Sequence, residues 1–124
     1  MKQIADKGIE KFMHRLGLGY TKYFNKRFDR SGVLFQGPFK AIHIDSNEYL
    51  LHLSAYVNLN YIVHQLGNGV SKSSWKEYIT RGGTLCQKDI ILNQFKSRDE
   101  YQKFAEEAIM ISRERKDMED LLLE

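Results

Sequence analysis

Asp45-Ser-Asn-Glu48-Tyr-Leu-Leu-His52-Leu-Ser54-Ala-Tyr56-Val-Asn-Leu-Asn60-Tyr-Ile-Val-His64-Gln-Leu66 is the stretch whose reading decides the fold. It opens like a helix, with Asp45 as N-cap and Glu48 three residues on, close to a capping box. Tyr49, Leu50, Leu53, Val57 and Tyr61 form one stripe, and Leu51, Ala55, Leu59, Ile62 and Leu66 lie beside it. A helix apolar over more than half its circumference is a central, packed one, and Gly67-Asn68-Gly69 ends it. Tyr56 and Asn60 stand four residues apart, which sets them on one face a turn apart. A phenol beside an amide oxygen can serve as nucleophile and metal ligand. A half-buried tyrosine beside a surface asparagine has the same spacing, and spacing alone does not choose.

On the amino-terminal side, residues 3–28 carry apolar side chains at three- and four-residue steps, from Ile4 and Ile9 through Phe12, Met13 and Leu16 to Tyr20, Tyr23 and Phe24. This pattern predicts a helix, with a kink or break at Gly17 and Gly19. Its end, Tyr20-Thr-Lys22-Tyr-Phe-Asn25-Lys26-Arg27-Phe28, interleaves rings with bases. That suits a nucleic-acid surface, where bases grip phosphates and rings stack on nucleobases; rings in a core with bases facing water give the same pattern. Asp29-Arg30-Ser-Gly32 predicts a turn. Val33-Leu-Phe35 and Phe39-Lys40-Ala-Ile42-His-Ile44 read as short strands around Gln36-Gly37-Pro38, with Pro38 at a strand start.

On the carboxyl side, Trp75 and Tyr78 sit on a short helical turn and anchor a polar connection to the core. Thr84-x-x-Gln87 and Ser97-x-x-Glu100 are capping boxes. The first opens a short helix with Ile90, Ile91 and Phe95 inward. The second opens a last helix over 98–120, with Tyr101, Phe104, Ala105, Ala108, Ile109 and Ile111 on its apolar side. Leu121-Leu-Leu123 either packs back or seeks a partner.

The 124 residues suffice for one modest core, and a 42% hydrophobic, 28% charged composition is that of a globular protein, not a disordered one. No apolar run approaches the roughly 18 residues of a membrane span, and the amino terminus lacks a signal-peptide core. A single cysteine, Cys86, forms no internal disulfide and no thiolate zinc site. Residues 1–46 carry nine Lys/Arg against four Asp/Glu, whereas residues 99–124 carry four against nine. A basic front with an acidic tail points to an anionic partner for the front. No phosphate loop, dinucleotide fingerprint or HExxH occurs. The histidines, His14, His43, His52 and His64, show no paired spacing; His43-x-Asp45 offers two ligands at most.

Taken in order, three blocks carry a resemblance: Phe12-Met13 through Tyr20-Thr-Lys-Tyr-Phe-Asn25-Lys-Arg27; Arg30-Ser-Gly32-Val-Leu-Phe35-Gln-Gly37-Pro-Phe39-Lys40; and Asn47-Glu-Tyr-Leu-Leu51 with Tyr56-Val-Asn-Leu-Asn60. Together with Ser73-Ser-Trp75-x-x-Tyr78, Asp89-Ile-Ile-Leu92-x-x-Phe95 and Tyr101-x-x-Phe104, they resemble the single-tyrosine (HUH-type) transposases, in particular the REP-associated tyrosine transposases that act on single-stranded DNA hairpins. The resemblance spans nearly the whole chain.

It implies that Tyr56 attacks a DNA phosphodiester to form a 5′-phosphotyrosine link, which conserves the energy of the cut bond for rejoining. It further implies Mg²⁺ or Mn²⁺ at the scissile phosphate, with Asn60 as one metal ligand. Lys22, Lys26, Arg27, Arg30 and Lys40 are candidate DNA contacts by position and charge. Two departures stand out: Tyr61 follows Asn60 where the family has proline, and the family's paired histidines are missing. The expected fold is α+β, the mostly helical carboxyl-terminal portion of a ferredoxin-like transposase fold with a strand hairpin around 33–44. Residues 1–66 would be a partial catalytic core without the amino-terminal part that bears the histidines, and 67–124 a helical extension. The chain is then expected to bind single-stranded or hairpin DNA as a cytoplasmic, nucleoid-associated homodimer with no stably held ion, and not to cleave DNA alone. A non-enzymatic DNA-binding regulator and a helical protein-interaction module are the alternatives. Val33-Leu-Phe-Gln36-Gly37-Pro38, in register with the transposase pattern, also resembles the cleavage site of the rhinovirus cysteine protease.

Overall fold

The computed structural model describes residues 1–64, 72–83 and 85–122, the side chains of 120–122 aside. The expected stop at Gly67–Gly69, the Thr84 capping box and the Leu121–Leu123 cluster fall outside the described residues. Five helices make up the described structure: α1 (Gly8–Arg27), α2 (Asn47–Val63), α3 (Trp75–Ile79), α4 (Asp89–Leu92) and α5 (Arg98–Leu122). None is long and apolar enough to cross a membrane. The chain groups into two compact units, Met1–His43 and Ile44–Glu124.

In the first unit α1 runs unbroken, contrary to the break expected at Gly17 and Gly19. Two glycines weaken a helix without cutting it, because each still donates and accepts in the i→i−4 ladder. The helix closes at Asp29, which takes the left-handed conformation (φ 47°). Phe28 N–H returns to Phe24 O and Arg30 N–H to Asn25 O, both at 3.0 Å, the latter the long bond of a Schellman end. Asn25 then ties down the turn, donating to Gly32 O at 2.9 Å and accepting from Arg30 Nη1 at 3.2 Å.

The strands expected at 33–44 are not formed; these residues run without regular secondary structure. A strand needs a ladder partner for its backbone groups, and among the described residues none pairs with this segment. What holds it to α1 is aromatic: Phe35 lies 6.2 Å from the ring of Tyr20, which also neighbours Tyr23 and Phe24. No residue of this 43-residue unit is buried, so α1 depends on its own marginal propensity. Gly19→Ala, at a helical position with open space around its α-carbon, is therefore expected to stabilise α1 by about 0.5–1 kcal/mol, read as a stronger far-ultraviolet helical signal. Because Gln36 and Gly37 are exposed, rhinovirus cysteine protease is expected to nick the intact chain after Gln36; two fragments on a denaturing gel would show it.

The second unit holds the core: Ala55, Leu59, Val63, Tyr78, Ile91, Tyr101, Ala105 and Ile109. The N-cap of α2 is Ser46, not Asp45: its hydroxyl accepts from Tyr49 N–H at 3.2 Å, and Glu48 falls one position short of a capping box. The buried stripe of α2 is the one through Ala55 and Leu59; Tyr49 and Val57 of the other stripe are exposed. Against it packs α5, through Tyr101, Ala105 and Ile109 as expected, whereas Ile111 points to solvent. In α4 Ile91 is inward and Ile90 exposed. Ser97 Oγ accepts from Glu100 N–H at 3.2 Å, while the Glu100 carboxylate takes Lys96 N–H, so the box is shifted by one residue. Arg98 donates to the last carbonyls of α3, Glu77 O and Tyr78 O, at 3.2 and 2.7 Å, where a cation complements the helix end. Burial foremost, then the neighbouring Tyr101, Cys86 and Glu77, pushes the Tyr78 phenol up from its usual value of 10.0. A phenol that ionises more readily unfolded contributes stability below that value and loses it as pH rises above it.

Candidate functional site

The Tyr56 segment is shaped by a polar network under it. Asn58 is 2% exposed. Its Oδ1 accepts from Ser74 Oγ at 2.6 Å and its Nδ2 donates to Tyr101 Oη at 3.4 Å. Ser54 Oγ reaches the same Tyr101 hydroxyl at 3.1 Å and donates to Leu51 O. Ser73 Oγ donates to the carbonyl of Asn58 at 2.8 Å, and at the next residue, Leu59, the backbone leaves helical geometry (φ −114°, ψ 16°). A hydroxyl drawn into the helix ladder is a recognised cause of such a kink.

The kink falls between Tyr56 and Asn60. Asn60 Oδ1 is buried and without a hydrogen-bond partner, so no hydrogen bond joins that oxygen to Tyr56. The phenol of Tyr56, 38% exposed, lies instead 3.2 Å from Nε2 of His64, the residue that caps α2. The two rings meet edge to face, at 76°. On the far side of the imidazole, Nδ1 is 2.8 Å from Lys116 Nζ on α5. Tyr56 also borders a cleft of about 340 Å³ between α2 and α5, lined by Tyr49, His52, Leu53 and Ser112.

Magnesium takes about six oxygens in a near-octahedral shell. Asn60 supplies one neutral amide oxygen, and no group of three or more His, Cys, Asp or Glu able to hold an ion occurs among the described residues. One neutral amide oxygen at Asn60 does not fit a divalent ion by itself.

The five candidate DNA contacts, Lys22, Lys26, Arg27, Arg30 and Lys40, all lie in the first unit and are all exposed. Two of them lie over rings: Arg27 at 5.9 Å from the Phe28 centroid and Arg30 at 5.8 Å from that of Phe24. Arg27 Nη1 also donates to Tyr23 Oη at 3.4 Å. Tyr20, Tyr23 and Phe28 remain about half exposed, at 48%, 57% and 58%, so the interleaved rings are not a core. A groove of about 1040 Å³ runs along α1, with Leu16, Tyr20, Phe35 and Phe39 among its lining.

No spacing in the sequence links His64 or Lys116 to Tyr56. On a regular helix a residue eight positions on lies about 80° off the face, and Lys116 stands 52 positions from His64. Comparison with protein-family models, with curated proteins and with solved structures finds no match to this chain.

Proposed function

We propose that the chain is a transposase-like DNA-binding protein that prefers single-stranded or hairpin DNA, with an ancestry of cleavage and rejoining through a 5′-phosphotyrosine at Tyr56. The observation that carries this reading is the placement of the Tyr56 hydroxyl. It sits at the surface on a histidine that in turn meets a lysine, rather than in the core, while Asn58 two residues on is locked beneath it. The exposed bases and rings of α1 and its following turn supply phosphate and nucleobase contacts. Within this proposal the 33–44 segment becomes ladder-paired in a ferredoxin-like sheet, closed by a second copy of the chain, and the protein works on the nucleoid in the cytoplasm.

Binding to single-stranded DNA should then fall steeply with salt. Single strands give a slope of about −0.7 per phosphate contact, so five engaged bases predict a slope of about −3.5 and a loss of roughly a hundredfold between about 50 and 200 mM. Fluorescence anisotropy on a hairpin-bearing oligonucleotide measures it; a flat response would sink the DNA reading. With the paired histidines absent from the sequence, incubation with that oligonucleotide and Mn²⁺ is expected to yield no covalent adduct on a denaturing gel. An adduct lost in Tyr56→Phe would show that the chain cleaves unaided. The uncovered apolar side of α1, where Phe12 and Leu16 are 51% and 52% exposed, favours a second reading, a helical protein-interaction module. Salt-independent association with a protein partner would support it.

A further inference from the structure

Tyr56, His64 and Lys116 form a chain of three polar groups that nothing in the resemblance assigns as a unit. A lysine ammonium has three donors and no lone pair, so at 2.8 Å the Nδ1 of His64 must be the acceptor. The single proton of the neutral imidazole then sits on Nε2, which donates to the Tyr56 oxygen at 3.2 Å. One of the three ammonium N–H groups is spent on His64; the other two are not required by that bond. A fixed N–H thus holds a partly exposed phenol oxygen on one side of the imidazole, and a positive charge stands on the other. The adjoining cleft between α2 and α5 offers the rings of Tyr49 and His52, the surface that an unstacked base next to a phosphate needs.

We propose that Tyr56, His64 and Lys116 constitute a phosphate-ester site, in which a remaining N–H of Lys116 and the Tyr56 O–H take the non-bridging oxygens of a phosphodiester, while the His64 N–H holds the Tyr56 oxygen in place. His64 is a positioning residue for that tyrosine, and Lys116 meets the phosphate directly. The proposal rests on the reading of Tyr56 as the residue that meets DNA. One cation facing a singly charged phosphodiester balances it, and free phosphate shares the same oxyanion chemistry.

The test places 3-fluorotyrosine at position 56 of the full chain and follows its fluorine resonance during titration with a short oligothymidylate and, separately, with inorganic phosphate. Anisotropy of the labelled oligonucleotide is recorded in parallel. The resonance is expected to move with the oligonucleotide. Lys116→Gln should weaken that titration about tenfold, the effect of losing one charge-assisted hydrogen bond. Arg115→Gln, one residue away and exposed, should leave it within twofold. Equal weakening by the two substitutions would reduce Lys116 to general charge and overturn the site. So would a motionless resonance while anisotropy reports bound oligonucleotide, an outcome that leaves the DNA reading intact. If the oligonucleotide does not bind but phosphate moves the resonance in a Lys116-dependent way, the site stands and the DNA reading falls. If neither ligand moves it, and Lys116→Gln changes only the melting temperature, the pair is a helix-end contact and the proposal fails.

Discussion

Asn58→Ala is expected to destabilise the second unit by about 3 kcal/mol. The substitution removes the acceptor of Ser74 Oγ and one donor to Tyr101 Oη at a position 2% exposed. A buried polar group left without its partner costs about 1–3 kcal/mol, and the lost side-chain volume adds a cavity contribution. At about 4–8 °C per kcal/mol for a domain of this size, the melting temperature should drop by roughly 12–24 °C. Val57→Ala, one residue away and 60% exposed, should stay within about 0.5 kcal/mol. Denaturant melts of the two variants compare them directly; similar midpoints would mean that the Asn58 network does not hold α2, α3 and α5 together.

Gly83→Ala is the second large effect, again about 3 kcal/mol. Gly83 has φ +89°, where an L-residue carries strain of order 1–3 kcal/mol. An added methyl would also land on the Glu77 side chain. That carboxylate accepts from Cys86 N–H at 3.3 Å and pairs with Lys88 Nζ at 3.5 Å. Lys88 in turn donates to Gly82 O and Gly83 O at 3.4 and 2.9 Å. Displacing Glu77 therefore loosens its contacts with Cys86 and Lys88. Because the two side chains would collide, the double variant Gly83→Ala/Glu77→Ala should be more stable than the sum of the single losses, by at least about 0.5 kcal/mol. Strict additivity in urea melts would show that Gly83 is needed for its backbone angle alone.

The two substitutions mark how unevenly the fold is written along the chain. The periodicity of α5 names Tyr101, Phe104, Ala105, Ala108, Ile109 and Ile111 as its apolar side; Tyr101, Ala105 and Ile109 are buried, Phe104 and Ala108 partly so, and Ile111 is exposed. Helix α1 is legible too, although its glycines read as a break that the backbone ladder does not make. The stripe of α2 was ambiguous, since apolar residues on both stripes satisfy the same period; packing against α5 selected Ala55 and Leu59 over Tyr49 and Val57. The segment 33–44 has the alternation of strands but no ladder partner among the described residues, and strand propensity without a partner does not make a sheet.

By itself the sequence determined that the described protein is mostly helical, that its front is basic and aromatic, and that Tyr56 lies on a central helix. Each is a local property, set by side-chain period and charge. Only tertiary structure decided what Tyr56 faces. Ser73 draws on the helix carbonyl at Asn58, the helix kinks at Leu59, and the phenol meets His64 while the Asn60 amide oxygen turns inward. The third member of that chain, Lys116, comes from another helix altogether. Helical spacing relates residues within about one turn; a contact across 52 positions exists only once α2 and α5 have packed.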